Sequence, residues 1–308
     1  MKKIVALFLC AAVLASLCGC RINISAGVDS RFTGDEYPDA EKYRTGAFTY
    51  RADEVSAIEV YWRSGRVEIT EAEYSEFSVK ESGEDLPESV AMHWLLEDGV
   101  LRIRFCASGA DVSVKSSDKQ LYLSVPKGKE LSVRASSATV STGALDQKSV
   151  HIYAHSGSTE LGRVTAESIE LQSSSGAVRA NSISARTFAC NTSSGSVTLV
   201  AVSAEKFECK TSSGSVSVGG IRAEQASVAT SSGSVKLAIA GLPDTTVRTS
   251  SGKVTVTLPA GGARVTYDSG SGKLRTRLDY EKSGDIYIFG SEECRLTVGT
   301  SSGDLEIR

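Results

Sequence analysis

Apolar and polar positions repeat along the middle of the chain in units of 19 residues, each containing a serine-rich step that ends in glycine. In every unit the positions two and four residues after the glycine are almost all apolar, and the position between them is polar. The positions five and seven residues before the glycine are mostly apolar as well. An apolar period of two predicts β-strands. The glycines that mark the units are Gly157, Gly176, Gly195, Gly214, Gly233 and Gly252.

Strands this short bury too few side chains to hold a core of their own, so successive units must stack. Stacking at about 4.8 Å turns each apolar column into a continuous inward ladder. The sequence therefore predicts an all-β fold, a single-chain β-solenoid similar to a parallel β-helix, with coils of about 19 residues and capping strands. We expect two main strands per coil, such as residues 196–200 and 207–211, and a third short extended segment near Val202. A β-sandwich of similar hairpins is the alternative, but its strands would vary in length.

Each Ser-Ser-Gly step is expected to form a corner of the coil, because glycine adopts positive φ without steric cost and serine hydroxyls can hydrogen-bond within the bend. Another column contains threonines that fall on the inward phase of the alternation. We expect their hydroxyls to complete the hydrogen bonds of the corner. An outward threonine array, which could bind ice or a crystalline glycan, is the alternative. These residues are Thr192, Thr211, Thr230 and Thr249.

The two ends of the repeat are less regular. Residues 53–126 alternate like strands without the 19-residue spacing, which is typical of a β-rich cap and first coils. Residues 127–308 form the predicted solenoid region. Within it, residues 274–283 are expected to be an excursion or a capping loop. Gly284 and Gly303 are again 19 residues apart and are expected to restore the pattern.

The first twenty residues predict export and lipid attachment. A positive start and a short apolar stretch end in Leu-Cys-Gly-Cys, which resembles a bacterial lipobox whose last residue is Cys20. Residues 1–19 are then the lipoprotein signal peptide, and residues 20–52 are the lipidated N-terminus and linker. Acyl chains such as palmitate on Cys20 would anchor the protein, at about 0.8 kcal/mol per buried methylene. The alternative is an ordinary signal peptide with an incidental cysteine.

Composition narrows the possible chemistry. A net charge of −3 lacks the basic excess that is typical of nucleic-acid-binding proteins. Three histidines and 6% aromatic residues leave little material for a haem pocket or a histidine-rich metal centre. We therefore expect no cofactor, no metal and no nucleic-acid partner. Of the seven cysteines, two leave with the signal peptide and Cys20 is the lipid anchor.

Cys190 and Cys209 occupy one column, one coil apart, so their α-carbons should lie about 5 Å apart, within reach of a disulfide. An extracytoplasmic location permits such a bond. Parallel neighbours hold their side chains side by side, however, and we favour stacked thiols that fill a core column. His151 and His155 would lie roughly 13 Å apart on one strand. Two exposed histidines are therefore expected, not a metal site.

We predict no catalytic residue. Acidic side chains form no continuous column of the kind that polysaccharide-cleaving β-helices would use. Residues 299–303 match the Gly-x-Ser-x-Gly elbow of hydrolases, which needs a following helix and a later histidine. A strand-like segment at residues 305–307 follows instead, and no histidine lies beyond His155. We interpret the match as one more Ser-Ser-Gly corner.

Residues 55–308 as a whole resemble the bacterial "putative adhesin" family of β-strand-repeat domains of unknown function. The resemblance rests on units of the form Ser-Gly-x-Val/Ile/Leu-x-Val/Ile/Leu, such as residues 194–199 and 302–307, and on the entry strand at residues 59–67. It implies a repeat architecture and supplies no catalytic residues.

These observations predict an extracytoplasmic lipoprotein, anchored to the bacterial cell membrane, that acts as a non-enzymatic surface scaffold or adhesin-like binding module. Its expected partners are membrane lipid through Cys20 and cell-wall glycans, host glycans or envelope proteins. The polar columns on its outer sides suit weak multivalent contact. Two alternatives stay open: a polysaccharide-active β-helix enzyme, and an envelope-stress sensor or accessory lipoprotein.

Overall fold

A computed structural model of the chain describes residues 36–73, 76–82, 86–110, 119–241, 243–292 and 294–308. These residues form a single sheet of 24 strands, and α-helix is absent from those ranges. Two short 3-10 turns, Ala40–Lys42 and Ala52–Glu54, precede the first long strand. The expected signal peptide and Cys20 lie outside the described residues. The prediction of an all-β fold is confirmed.

The strands are numbered in chain order. The N-terminal strands are β1 (Arg44–Thr45), β2 (Phe48–Arg51), β3 (Ala57–Trp62), β4 (Arg66–Glu71), β5 (Glu76–Glu81), β6 (His93–Glu97), β7 (Val100–Arg104) and β8 (Gln120–Val125). The central strands are β9 (Glu130–Ala135), β10 (Thr139–Thr142), β11 (Leu145–Ala154), β12 (Thr159–Ser173), β13 (Val178–Thr192), β14 (Val197–Thr211), β15 (Val216–Thr230), β16 (Val235–Ile239), β17 (Asp244–Thr249) and β18 (Val254–Thr257). The C-terminal strands are β19 (Gly262–Ser269), β20 (Leu274–Thr276), β21 (Glu281–Ser283), β22 (Ile286–Gly290), β23 (Cys294–Thr300) and β24 (Leu305–Ile307).

The central coils pair in parallel with a register of 19 residues. Thr159 of β12 pairs with Val178 of β13, Val178 pairs with Val197 of β14, and Val197 pairs with Val216 of β15. The members of this column are all buried. The columns seen in the sequence are therefore inward ladders between neighbouring coils, and the prediction of a β-solenoid is confirmed.

Each complete central coil is one continuous strand, not the two short strands that we expected. The inward-outward alternation of β14 shifts phase at residues 200–201 and again at residues 205–206, where two consecutive side chains face solvent. Because successive side chains of a flat strand point to opposite faces, each shift marks a bend of the strand around the core. The third segment expected near Val202 is the middle of three inward faces. These faces are residues 197–199, 202–204 and 207–211.

The corner glycines are required by close approach between coils and not, as we expected, by a positive φ. All six are buried, and none adopts the left-handed backbone conformation. A Cβ atom on Gly214 would overlap the carbonyl oxygen of Gly195 in the preceding coil. Any side chain there would force the coils apart and break their hydrogen bonds. The glycines in this contact are Gly157, Gly176, Gly195, Gly214, Gly233, Gly252, Gly303 and Gly272.

Threonine hydroxyls complete the corners from the inside, as predicted. The hydroxyl of Thr211 accepts a hydrogen bond from the backbone N–H of Gly214 at 2.9 Å, and the next two coils repeat this bond. In the two preceding coils the direction reverses, so that the hydroxyl of Thr192 donates to the carbonyl oxygen of Gly195 at 2.7 Å. All four threonines of the column are buried, which rules out an outward array.

The C-terminal coils do not stack in chain order. β23 lies between β17 and β19 and pairs in parallel with both, and β24 lies in the same way between β18 and β20. Gly303 therefore stacks on Gly252, and Gly272 stacks on Gly303. The expectation that Gly284 and Gly303 resume the 19-residue stacking is wrong. Gly284 has a φ of 61° and belongs to the antiparallel hairpin of β21 and β22.

The N-terminal end is arranged in a similar way. β3 lies between β7 and β9, and β4 lies between β8 and β10, so later parts of the chain cover the first coil. Antiparallel strands close both ends, with β5 on β8, β6 on β7, and β22 on β19. The described part of the expected linker joins this cap and is not a free spacer, because β1 pairs with β6 and β2 with β5.

A buried ion pair lies beneath the N-terminal cap. The Lys119 ammonium is 2.8 Å from the Glu81 carboxylate, and the two side chains are 5% and 10% exposed. Lys119 also donates to the carbonyl oxygens of Val90 and Phe105, and its charge lies 5.0 Å from the ring centre of Trp62. Burial lowers the pKa of Lys119, and the hydrogen bond to Glu81 opposes that shift. All three donors of the ammonium are used, so this pair belongs to the core of the cap.

Replacing Gly214 with alanine is expected to destabilise the fold by at least about 2 kcal/mol, because the new Cβ must displace the Gly195 carbonyl and the stacked coil that carries it. Gly299→Ala is the matched control, since Gly299 has open space around it and no left-handed φ. The control should change the free energy of unfolding by less than about 1 kcal/mol. Urea unfolding followed by circular dichroism measures both, and equal losses would contradict the stacking role.

Thr211→Val is expected to cost about 1–3 kcal/mol, because it keeps the shape of the side chain and leaves the buried N–H of Gly214 without its acceptor. Thr198→Val, on the exposed face of the same strand, should stay within about 0.5 kcal/mol of the parent. Thermal unfolding gives the stability, and native-state hydrogen exchange should speed up at Gly214. An unchanged exchange rate there would show that the hydroxyl is not the partner that matters.

Acid is expected to weaken the attachment of the inserted C-terminal segment. Hydrogen bonds from Arg308 and from Lys253 of the neighbouring coil lower the pKa of Glu306 to about 2. Because an unfolded glutamate titrates at about 4.3, this stabilisation is complete above that pH and is lost as the pH falls towards the folded value. Carboxyl NMR should place the Glu306 midpoint near 2. A midpoint at the unfolded value would contradict the pairing.

Candidate functional site

The two cysteines expected in one column are neighbours there. Cys190 of β13 pairs with Cys209 of β14, and both are fully buried free thiols. Hydrogen bonding to Cys190 and burial raise the pKa of the Cys209 thiol well above its ordinary value. Because the thiolate is the reactive form, a buried and protonated thiol is a poor nucleophile. Next to the pair, Phe188 and Phe207 stack with ring centres 5.5 Å apart and planes 2° from parallel. These four side chains pack as part of the core. That Cys190 and Cys209 stay as thiols rather than forming a disulfide is still a prediction.

The histidines do not converge. His151 and His155 are both exposed, as expected, and each interacts with the next coil: His151 lies 3.4 Å from Glu170, and His155 hydrogen-bonds the Ser174 hydroxyl at 3.1 Å. His93 is buried in the N-terminal cap, where its ring contacts the carbonyl oxygen of Ala91. Across the described ranges, no group of three or more histidine, cysteine, aspartate and glutamate side chains is placed to hold a metal ion.

The stretch that matches the hydrolase elbow is a corner of the solenoid. The N–H of Gly303 donates to the Thr300 hydroxyl at 2.8 Å, which is the same bond that closes the central corners. The N–H of Ser302 bonds the Ser250 carbonyl oxygen of the neighbouring coil. Strand β24 follows where a hydrolase would have a helix. The interpretation of residues 299–303 as a Ser-Ser-Gly corner is confirmed.

An open cleft lies at the C-terminal end of the stack, where the repeat gives way to the cap. We call it the C-terminal cleft; it is formed by β19, β20, the hairpin of β21 and β22, and the chain between β20 and β21. Its volume is about 470 Å³, within the 300–1,000 Å³ that is typical of small-molecule sites.

Hydrogen bonds to the backbone hold the floor of the C-terminal cleft. The Tyr267 ring is buried, and its hydroxyl donates to the carbonyl oxygen of Gly303 at 2.9 Å. The Ser269 hydroxyl accepts a hydrogen bond from the N–H of Gly272 at 2.7 Å. The Tyr267 bond joins the end coil to the corner that precedes β24, and the Ser269 bond closes the corner of the end coil itself. The floor is therefore part of the hydrogen-bonded sheet.

Aromatic side chains form one wall. The Tyr280 ring is packed 5.5 Å from the ring centre of Tyr287 and 5.7 Å from that of Phe289, yet Tyr280 is 47% exposed. The Lys282 ammonium lies 4.9 Å from the Tyr287 ring centre. Hydrogen bonding to Tyr287 raises the pKa of Lys282, so the ammonium is charged at neutral pH. This wall offers a fixed aromatic surface with a cation at its edge.

Two carboxylates line the same cleft. We call Asp268 and Asp285 the cleft aspartates; both are exposed. Among the described residues, neither carboxylate has a hydrogen bond or ion pair with the protein. With Lys273 and Lys282 also in the lining, the cleft holds two acidic and two basic groups. Such a site can accept and donate hydrogen bonds without a strong net charge.

A second cavity of about 440 Å³ lies at the N-terminal cap, against Tyr37 and Ser108. The aromatic ring in its lining already has a protein partner, because the Arg104 guanidinium lies 5.1 Å from the ring centre of Tyr37. The same guanidinium lies 3.7 Å from the ring centre of Tyr61. Burial raises the pKa of Tyr37, so its hydroxyl stays protonated. The Tyr37 hydroxyl donates to the carbonyl oxygen of Cys106. These contacts dock residues 36–43 onto the cap.

Sequence reasoning missed the C-terminal cleft. It treated residues 274–283 as an excursion or capping loop. Residues 274–276 form β20 and stay in the stack, paired with β24, and the chain leaves the coil only after them. The signal that was available is the presence of Leu278 and Tyr280 among the polar residues 277–283, and both side chains are exposed. Nothing in the alternation indicated that this segment would face Asp268, because that contact depends on the order in which the coils stack.

Comparisons with solved structures return proteins of low identity. A "putative lipid binding protein" from Parabacteroides distasonis is 14% identical over 85% of this chain and 97% of its own, with a TM-score of 0.44. A "putative adhesin" from Parabacteroides merdae is 11% identical over 87% and 96%, with a TM-score of 0.42. A "putative cell adhesion protein" from Clostridium sporogenes is 11% identical over 86% and 99%, with a TM-score of 0.21.

No curated protein matches the sequence. Within the described ranges, no helix has the length and apolar character needed to cross a membrane. The model of one sequence family, Toastrack DUF4097, matches residues 55–308, which is the whole of the stack from the first long strand onward. The repeat, the capped ends and this match agree, and the chain belongs to the Toastrack DUF4097 family.

Proposed function

We propose that this Toastrack protein is an extracytoplasmic lipoprotein, anchored through acyl chains on Cys20, and that it acts as a non-enzymatic, adhesin-like binding module. The observation that carries the proposal is the position of the C-terminal cleft. Ten parallel pairings separate the outermost N-terminal coil from the outermost C-terminal coil. At about 4.8 Å per pairing, the stack is roughly 48 Å long. An anchor at the N-terminus would leave the cleft at the far end, facing outward.

The long sides of the stack support a spacer role. Their charged columns are partly neutralised across coils, as in the pairs Lys148–Glu130 at 2.6 Å and Arg179–Glu160 at 3.9 Å. Exposed ion pairs of this kind contribute little stability, but they leave a well-solvated surface without a large field of one sign. The proposed partners are cell-wall glycans, host glycans or envelope proteins. The cleft, not the sides, is where a ligand of defined shape would bind.

One observation favours testing the enzymatic alternative as well. The cleft aspartates line one cavity, and glycoside hydrolysis uses a pair of carboxyl groups. A general acid of such an enzyme is normally shielded so that it stays protonated, whereas both cleft aspartates are exposed. We expect no release of reducing ends when the protein is incubated with insoluble cell-wall polysaccharide. Release that disappears in Asp285→Asn would replace the binding role by catalysis.

Replacing Cys20 with alanine is expected to abolish lipid attachment and to release the protein from the membrane, because the acyl chains supply the anchor. Cys18→Ala is the matched control, since it changes a neighbouring cysteine of the lipobox and keeps the acceptor. Metabolic labelling with an alkyne analogue of palmitate, together with membrane fractionation in a bacterial host, measures both. Labelling of Cys20→Ala at the parent level would overturn the anchor.

A further inference from the structure

The most exposed aromatic side chain of the C-terminal cap is held in place rather than loose. Tyr280 contacts Tyr287 and Phe289 on one side, and Phe289 is buried in the end coil. The other side of Tyr280 remains open, which accounts for its 47% exposure. An aromatic ring fixed in this way loses little conformational freedom when a ligand stacks on it. Such a ring is typical of a binding surface.

The carboxylates near the C-terminal cleft differ in whether they form ion pairs with the protein. On the neighbouring coil, Asp304 lies 3.0 Å from Arg275, and Glu306 lies 2.6 Å from Lys253. The cleft aspartates, on the end coil and the hairpin, form no hydrogen bond or ion pair with other described residues, although Lys282 lies close enough to attract the Asp285 carboxylate. Arg275 and Lys253 thus pair with carboxylates outside the cleft, and the oxygens of the cleft aspartates stay available for hydrogen bonds. This contrast is independent of the aromatic wall, and it points to the same cavity.

We infer that the C-terminal cleft binds a neutral saccharide, with Tyr280 stacking against the apolar face of a sugar ring and the cleft aspartates accepting hydrogen bonds from its hydroxyls. The inference rests on the proposed function and names the ligand class of that binding module. Lys282, at the edge of the Tyr287 ring, donates to a ring or hydroxyl oxygen of the ligand. A sugar presents both an apolar ring face and several adjacent hydroxyls, so it matches a site that combines one open aromatic ring with several charged hydrogen-bonding groups.

Charge in the cleft discriminates against other ligands. The two lysines only balance the two carboxylates, so the cleft has no excess of positive charge to attract a polyanion such as a nucleic acid or a phosphate-rich lipid surface. A purely apolar ligand would leave four charged side chains desolvated without partners, which is costly. A peptide could use the same charges, but it would need pockets for alternate side chains along an extended strand, and the cleft has one aromatic wall.

The test is a titration of the purified full-length protein with defined tetrasaccharides, followed by ligand-observed NMR and calorimetry. The probes are the neutral tetramers of N-acetylglucosamine, glucose and galactose, and the anionic tetramer of galacturonic acid. At least one neutral tetramer is expected to bind, and more tightly than the anionic one. Tyr280→Ala and Asp285→Asn should each weaken that binding at least about tenfold.

Leu278→Ala is the matched control, because Leu278 is an exposed apolar residue of the same cap, 43% exposed, and does not line the cleft. It should bind the saccharide like the parent protein. All three substitutions are at exposed positions, so unchanged melting temperatures are expected and would show that a loss of binding is local.

Three results would overturn the inference. One is the absence of binding to any neutral tetramer. Another is binding that survives both Tyr280→Ala and Asp285→Asn. The third is a preference for the anionic tetramer, or for a pool of random peptides titrated in the same way. Each of these leaves the proposed anchoring intact, because palmitate labelling at Cys20 is measured separately. Palmitate labelling of Cys20→Ala at the parent level, with saccharide binding retained, would instead remove the anchor and keep the site.

Discussion

The close contact between a carbonyl oxygen and the glycine of the next coil is the constraint on which the rest of the structure depends. A side chain at Gly214 would occupy the space of the Gly195 carbonyl, so the corners from Gly157 to Gly252 stack with glycine at every step. Once the corners are stacked, the 19-residue register follows, and every apolar column becomes a buried ladder. Buried hydroxyls such as that of Thr211 then supply the hydrogen bonds that the bent backbone cannot make for itself.

A stack of parallel strands leaves two open edges, and the chain closes both with its own irregular parts. At each end, the coil nearest the chain terminus is the second coil of the stack and not the outermost one. The outermost strand is β7 at the N-terminal end, next to β3, and β19 at the C-terminal end, next to β23. Antiparallel strands then cover the outermost coils. This arrangement hides unpaired backbone groups that would otherwise recruit another chain. It also joins segments far apart in sequence, since Gly303 contacts Gly252 rather than its sequence neighbours.

The same irregularity creates the C-terminal cleft. Regular coils present solvated sides with partly paired charges. The C-terminal cleft forms only because the chain leaves the repeat after β20, turns back through a hairpin, and faces the end coil with Tyr280. The proposed function would therefore separate the two roles along the stack, with the central coils as the support and the C-terminal cap as the binding part.

The sequence by itself determined the repeat. Period-two alternation and identical spacing specified parallel coils, the inward threonine column and the adjacency of Cys190 and Cys209, because these depend only on which residues recur at 19-residue intervals. It did not determine why glycine is required at the corners. A backbone with positive φ and a close approach between coils both demand glycine, so the two causes look the same in the sequence. The tertiary structure alone decided the order of the end coils and the C-terminal cleft. Both depend on pairings between strands that are not separated by a regular number of residues. No local pattern marks these partners, because they pair where the ends of the stack are closed.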